Sequence, residues 1–255
     1  MWHTRMAVLA LVSCVWSVVV GAQTQPLTSM DAAVAAMQSG SAAPVAGAVD
    51  YVLAHVRAAR ADVLLRASLA ALQLKRVEDA GFLFYAGQLR SRMDQQRFPP
   101  EGEGGSSPAV AIGALQTVVG EEVNAAVMGD TKMLARTLDR IETWDVTTVD
   151  AYDPGWAYTK ALPAGEAAKV SQSVKAEYLR TGRGVLTLLG IPEYVAARRE
   201  FEEAGEGDLS SQAKLNASLE RQEKALARLC AIEKKMNVIL MCGTAQQASS
   251  ATSVR

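Results

Sequence analysis

The residues best suited to bind a ligand or catalyse a reaction lie between Trp144 and Tyr158. This stretch holds two of the four tryptophans, two of the six tyrosines and three aspartates. Aromatic faces beside carboxylates are typical of a groove for a sugar or a peptide, because the rings bury area while the oxygens fix the ligand's orientation. The same rings could instead staple the loop onto helices without any ligand. If the loop binds a ligand, the candidate residues are Trp144, Asp145, Tyr152, Asp153 and Trp156.

A second acidic group, Glu121 and Glu122, follows Gly120. Acid–base work on a glycan requires two carboxyl groups about 5 to 9 Å apart across the bond. Neighbouring helical residues diverge by about 100°, so this pair does not flank one substrate and is typical of a solvated helical edge. A carboxylate-based glycan-acting enzyme therefore requires an aspartate of the 145–158 segment to face Glu121 across a cleft.

The N-terminus predicts an export signal. The segment MWHTR precedes an apolar run that ends in Val-Gly-Ala at 20–22, which is typical of a secretory signal peptide cleaved after Ala22. The apolar stretch of about 17 residues is short for a membrane span, and no basic cluster follows it. We expect a periplasmic or secreted protein with no transmembrane segment after cleavage. The alternative is a lipoprotein acylated at Cys14, because residues 11–14 are similar to a bacterial lipobox.

Cleavage after Ala22 leaves few groups for metal or nucleophilic chemistry. His55 becomes the single histidine, and Cys230 and Cys242 the only cysteines. Zinc sites require several Cys or His ligands at short spacings, so we expect no metal centre and no cofactor. Imidazole-based catalysis would depend on His55 alone, and this residue flanks an apolar stripe, which indicates a structural role.

The two cysteines raise the question of a disulfide. On one continuous helix, twelve residues separate them by roughly 18 Å, far beyond the reach of a disulfide. We therefore expect two unpaired thiols, with Cys242 in a frayed helix end. Pairing requires the helix to break between them.

Charge excludes one class of partner. The chain has 26 Lys and Arg against 27 Asp and Glu, a net charge of −1. Such a balance gives no broad basic surface for nucleic-acid phosphates, and we expect a protein partner instead.

The elements that must position these residues are helices. Alanine is abundant, β-branched and aromatic residues are sparse, and no segment alternates with period two, which together favour an all-α fold. Apolar spacing and capping residues predict helices over 30–39, 44–59, 77–96, 109–127, 166–181, 192–204 and about 210–241, with further helices before Lys75 and after Asp130. Residues 145–165 form a long irregular segment, which in a compact domain indicates a functional or disordered loop.

One helical hairpin resembles a known repeat. Leu64, Leu65, Leu69 and Leu72 stripe a helix before a basic turn, and the next helix carries Lys75-Arg76-Val77-Glu78-Asp79-Ala80 followed by Phe84. This spacing resembles the second helix of a tetratricopeptide unit; the first helix lacks the repeat's Trp and Leu-Gly-x-x-Tyr positions, and no second copy follows. The resemblance implies a surface for another chain, with candidate partner-binding residues Phe82, Tyr85, Gln88 and Arg92.

The predicted organisation is one helical domain over 23–243 between the signal peptide and a disordered tail at 244–255. A Pro/Gly linker at 98–106 joins sub-units 28–97 and 107–243, and a long amphipathic helix closes the chain. The shortage of His and Cys favours a non-enzymatic interaction or scaffold protein of the bacterial cell envelope, and the glycan-acting enzyme is the alternative.

Overall fold

The computed structural model describes residues 27–101, 107–206, 210–238, 240 and 242. Within them the chain forms nine α-helices and no strand, with one isolated bridge between Pro100 and Tyr158, so the all-α prediction is confirmed. The predicted signal peptide, the tail at 244–255 and residues 102–106 of the linker lie outside this part of the chain. The helices are α1 Met30–Met37, α2 Ala42–Ala54, α3 Ala61–Gln73, α4 Val77–Arg97, α5 Pro108–Met128, α6 Thr131–Thr143, α7 Ala164–Leu189, α8 Pro192–Gly205 and α9 Gln212–Met236.

Several helices begin where the sequence places a capping residue. The side chains of Ser29, Ser107 and Asp130 accept hydrogen bonds from backbone amides in the first turns of α1, α5 and α6. Each cap satisfies an amide that has no partner inside the helix. Pro108 occupies the first turn of α5, where its missing N–H removes no helical hydrogen bond.

Helix α4 lies at the centre of the molecule. It packs against α3, α5, α6 and α7, and almost every residue from Ala80 to Asp94 is buried. Close helix approach depends on small residues: a Cβ at Gly87 would lie 3.0 Å from Leu65, and a Cβ at Gly120 would lie 2.9 Å from Phe84. The larger hydrophobic cluster includes buried residues of α1 through α7, so helices on both sides of the linker share one core.

Helices α8 and α9 form a separate hairpin with a small core. Its buried apolar residues are Leu188, Tyr194, Ala197 and Leu229. Within the described residues, Leu188 brings the end of α7 into this cluster, and Ile191, Val238 and Leu240 pack against it from outside the two helices. Little apolar area is therefore available to stabilise the hairpin, since burial stabilises by about 25 cal/mol per Å².

The C-terminal helix ends earlier than the sequence predicts. Asn237 adopts a left-handed conformation (φ 53°, ψ 39°) and closes α9, and the Val238 amide bonds back to the Glu233 carbonyl. The chain reverses, which brings Cys242 beside Cys230 with 5.4 Å between their Cα atoms, and a disulfide joins them. The prediction of two unpaired thiols was wrong, because it assumed that the helix continues to Met241.

Among the described residues, no helix combines the length and the apolarity that a membrane crossing demands.

Candidate functional site

The irregular segment between α6 and α7 is fastened across the C-terminal end of α4. The Trp156 indole N–H donates to the Phe98 carbonyl at 2.9 Å, and the Leu162 amide donates to the Arg97 carbonyl at 2.9 Å. The Glu101 amide donates to the Ala157 carbonyl at 3.1 Å. These contacts attach the segment to helices, which is one of the two interpretations of its aromatic content given above; the other is a ligand-binding groove.

The rings of the predicted ligand loop point into the protein. Trp144 is 7% exposed and meets Phe82 edge to face, with 6.1 Å between ring centroids. The Tyr152 hydroxyl donates to Asp94. Trp144 is therefore buried against helix α4, whereas Tyr152 and Trp156 are half-buried.

The two predicted loop acids are engaged locally. Asp145 accepts a hydrogen bond from the Thr147 amide and pairs with Arg57 at 3.4 Å, and the Thr147 hydrogen bonds lower its pKa. Asp153 accepts a hydrogen bond from the Gly155 amide at 2.8 Å. Both carboxylates stabilise turns of the loop.

Beneath this loop lies a polar group that the sequence analysis missed. We call Arg90, Asp94, Trp144 and Tyr152 the Arg90 cluster. The guanidinium carbon of Arg90 lies 5.2 Å from the centroids of both the Trp144 and the Tyr152 rings, and its Nη1 donates to the Val146 carbonyl at 3.3 Å. Both Arg90 and Asp94 are fully buried. The one sequence signal is spacing, since residues 83, 87, 90, 94 and 97 share a helical stripe that begins with apolar and small residues.

Burial controls the ionisation of the Arg90 cluster. Desolvation raises the pKa of Asp94 to about 6, although the positive charge of Arg90 and the Tyr152 hydrogen bond oppose this rise. Burial also lowers the pKa of Arg90 and raises that of the Tyr152 hydroxyl. The tyrosine therefore stays protonated and donates its hydrogen bond.

The Arg90 cluster is incompletely paired. Five buried side-chain atoms in the described part of the chain have no hydrogen-bond partner: Nε and Nη2 of Arg90, Oδ1 of Asp94, Nε of Arg97 and Nε1 of Trp144. All five belong to the cluster or to Arg97, one turn along α4. Buried polar atoms are almost always satisfied in native proteins, so the concentration of these five atoms at one place distinguishes the Arg90 cluster from the rest of the described core.

A cavity of about 430 Å³ lies next to the Arg90 cluster, and we call it the loop cavity. Arg97, Val146 and Tyr152 line it on one side and the first turns of α7 on the other. Arg97 donates from Nη2 to the Thr148 hydroxyl at 3.1 Å.

A larger groove of about 1070 Å³ runs between α5 and α8, and we call it the α5–α8 groove. Phe84, Gln88 and Leu189 lie along it between the two helices. Its α5 wall carries small and polar residues, and its α8 wall carries Val195 and charged residues. The α5 lining residues are Gly113, Gln116, Thr117, Gly120, Glu121, Asn124, Ala125 and Met128.

The four predicted partner-binding residues separate into two kinds. Phe82 and Tyr85 are each 5% exposed and belong to the core, so helices of the same chain already cover these rings. Gln88 lines the α5–α8 groove and accepts a hydrogen bond from the Tyr178 hydroxyl at 2.7 Å. Arg92 is exposed and lies over the Tyr178 ring. Tyr85, Gln88 and Arg92 nevertheless line one small cavity of about 160 Å³, so the structure brings three of the four predicted residues together, whereas Phe82 is covered by the core.

The arrangement that a two-carboxylate enzyme requires is not formed at either opening. Glu121 lines the α5–α8 groove, and Asp150 lines the loop cavity. Neither opening holds Glu121 together with an aspartate of the loop. His55 caps the end of α2, where its Nδ1 lies 2.8 Å from the Tyr51 carbonyl and its ring stacks on the Tyr51 ring.

Among the described residues, no three His, Cys, Asp or Glu side chains converge as metal ligands. Comparison with protein-family models, with curated proteins and with solved structures found no match to this chain. The tetratricopeptide resemblance therefore depends on residues 75–84 and on the α3–α4 hairpin alone.

Proposed function

We propose that this protein is a non-enzymatic interaction protein of the bacterial cell envelope, and that the α5–α8 groove holds a helical or extended segment of another protein. The observation that carries this proposal is the groove itself. Its volume of about 1070 Å³ slightly exceeds the range of about 300 to 1,000 Å³ typical of small-molecule pockets. Grooves between helices are a recurrent way to bind a helix or an extended peptide.

The walls of the α5–α8 groove indicate the chemistry of the partner segment. Gln116 and Asn124 offer amide groups, and a Cβ added at Gly113 would meet nothing within 4 Å, so a partner can approach this backbone closely. On α8, Arg198 pairs with Glu202 at 2.8 Å, which neutralises charge along that wall. A near-neutral segment with small and amide-bearing side chains fits this surface better than a strongly charged one.

Exposed apolar residues flank the groove. Val195 on α8 is 44% exposed and Val118 on α5 is 61% exposed. Single exposed valines are ordinary on a protein surface. Val195 lines the groove, where a partner would bury it, whereas Val118 lies on α5 outside the lining residues.

The test compares two glycine substitutions of the same kind. Gly113→Phe fills the α5–α8 groove, and Gly47→Phe places the same ring on the exposed surface of α2, where a Cβ also meets nothing within 4 Å. We expect wild type and the Gly47 variant to capture the same protein from periplasmic extract through a photocrosslinker at Gln116. The Gly113 variant should recover at least about tenfold less.

Equal capture by all three proteins would contradict the groove as the binding site. Hydrolysis of cell-wall glycan by the purified protein, with no crosslinked partner, would instead support the enzyme alternative. N-terminal sequencing of protein isolated from the periplasm tests the location separately, and we expect Gln23 as the first residue. A chain that retains Met1 in the cytoplasm would contradict the export proposal.

A further inference from the structure

The Arg90 cluster presents an unusual problem in charge. Arg90 is fully buried, yet no carboxylate of the described residues lies within 4 Å of it or of Arg97 to form an ion pair. Buried guanidinium groups are normally paired, because transfer of an unpaired charge out of water is expensive. Two cations and the single nearby buried acid, Asp94, leave a local excess of positive charge.

The types of the atoms without hydrogen-bond partners lead to the same conclusion about charge. Four of them are donors, on Arg90, Arg97 and Trp144, and only one, on Asp94, is an acceptor. Of these donors, only the one on Arg97 belongs to a residue that lines the loop cavity, so a bound group that supplies acceptor oxygens there would pair with Arg97 and offset the positive charge of Arg90. Such a group is an anion or an ordered water, and the excess of positive charge favours the anion.

The loop cavity gives an anion a route to this charge. Arg97 lines the cavity directly, while Arg90 lies one layer behind the Tyr152 ring that forms part of the wall. Helix α7 begins at Ala164, another lining residue, and no side chain caps its first amides. The N-terminus of a helix carries partial positive charge and free N–H groups, which favour a bound anion. Glu166 also lies in this first turn, but it is exposed to water, which screens its charge.

The remaining walls describe the body of the ligand. Ser171 and Gln172 add a hydroxyl and an amide. Asp150 also lines the cavity, but it is exposed to water, which screens its charge. Thr147 and Thr148 add two more hydroxyls, and the remaining lining residues are aliphatic or aromatic: Phe98, Val146, Val149, Tyr152, Tyr158, Leu162, Ala164, Ala167 and Ala168. The volume of about 430 Å³ lies in the range of pockets that hold small organic molecules.

We propose that the loop cavity binds a small organic carboxylate, whose anionic group lies against Arg97 and the N-terminus of α7 and whose apolar body lies against Phe98, Tyr158 and the alanines of α7. Arg90 is a positioning residue in this site. It orients Tyr152 and supplies positive charge from behind the wall. The loop cavity and the α5–α8 groove share no lining residue, so this site is independent of the interaction proposed above.

Calorimetric titration of the disulfide-intact protein at pH 7 tests the site. The probes are N-acetyl-phenylalanine, N-acetyl-leucine and phenylacetate, each compared with its uncharged amide and with inorganic phosphate. We expect saturable binding of at least one acid, and at least about tenfold weaker binding of its amide, because the charge-assisted hydrogen bonds are lost. Phosphate should bind more weakly than the acid because it has no apolar body.

Two variants, Arg97→Gln and Ala168→Phe, locate the binding, and Lys169→Gln is the control. Arg97→Gln should weaken the acid at least about tenfold, whereas Lys169→Gln, which removes an exposed positive charge from the same end of α7, should change it less than about twofold. Ala168→Phe fills the cavity without altering Arg97 and should also abolish binding, with circular dichroism confirming that both variants fold.

Four results would overturn the proposal: no saturable binding of any acid at millimolar concentration, equal binding of acid and amide, tighter binding of phosphate than of every acid, or unchanged binding in both the Arg97 and the Ala168 variants.

Discussion

Two regions of this protein bury an acidic side chain against a tyrosine, and the two acids differ in how many of their oxygens have hydrogen-bond partners. In the C-terminal hairpin, Glu233 of α9 is 1% exposed and accepts hydrogen bonds from the Tyr194 hydroxyl at 3.1 Å and from the amides of Leu240 and Cys242 at 2.9 and 3.3 Å. At the end of α4, Asp94 receives Tyr152 on one oxygen, and its other oxygen has no partner.

The difference separates a structural acid from a candidate binding region. Both oxygens of Glu233 accept hydrogen bonds from the chain itself, and the acid holds the segment that follows α9 in place. The polar atoms around Asp94 are satisfied only in part. A buried polar group that the fold leaves incomplete is where an external molecule has most to add.

The largest expected effect is the loss of Glu233. Glu233→Ala leaves two backbone amides and the Tyr194 hydroxyl without their acceptor, and we expect a loss of about 4 kcal/mol in the free energy of unfolding. Urea denaturation measures it. Glu223→Ala, at an exposed position of the same helix, should change stability by less than about 0.5 kcal/mol. A loss as small for Glu233 would mean that its hydrogen bonds do not hold the turn.

Next in size is the disulfide between Cys230 and Cys242. The disulfide closes a loop in the unfolded chain and so lowers its conformational entropy. Reduction should therefore lower the free energy of unfolding by about 3 kcal/mol. Hydrogen exchange with and without a reductant should show that the amides of α8 and α9, whose core is small, lose protection. The protection of the α4 amides should change little. Equal loss of protection throughout the chain would indicate that the two regions unfold as one unit.

Asp94 should make the protein less stable as pH rises. Its pKa is about 6 in the folded protein against an ordinary 3.8, so the folded state holds a proton that the unfolded state releases between these values. Stability from this group is present below about pH 4 and is lost as pH rises to about 6, by about 3 kcal/mol. Denaturation midpoints of wild type and Asp94→Asn between pH 4 and 7 measure it. A constant difference between the two proteins across that range would contradict the raised pKa.

The smallest effects are those of the two hydroxyl groups. Tyr152→Phe removes the one hydrogen bond to Asp94, whereas Tyr194→Phe leaves Glu233 with two amide donors. We expect about 2 kcal/mol for the first variant and about 1 kcal/mol for the second. Thermal denaturation of the two variants side by side checks this order, and the reverse order would remove the distinction between the two acids.

The sequence predicts helices wherever local signals are strong. Ser107 with Pro108, and Asp130, mark helix starts that the structure shows at the same residues. It fails where tertiary contacts decide the conformation. The apolar seam of α9 continues past Met236, but Asn237 turns left-handed and the seam's next member, Leu240, donates its amide to Glu233 instead.

The candidate site shows the same limit. The loop was identifiable from its rings and acids, because aromatic residues are otherwise sparse in this chain. Arg90 and Asp94 were not, since an arginine and an aspartate on a helix are ordinarily at its surface. Only the packing of the loop over α4 shows that this helical stripe is buried.

The positions of the indole rings give this protein an internal optical probe. Two of its four tryptophans, Trp2 and Trp16, lie within the predicted leader, so the tryptophan fluorescence of a processed chain, excited selectively over tyrosine, would come only from Trp144 and Trp156. Both belong to the segment fastened across α4, and Trp144 lies against the Arg90 guanidinium. Tryptophan emission from the processed protein would then report on that end of the molecule and would not detect unfolding confined to the α8–α9 hairpin.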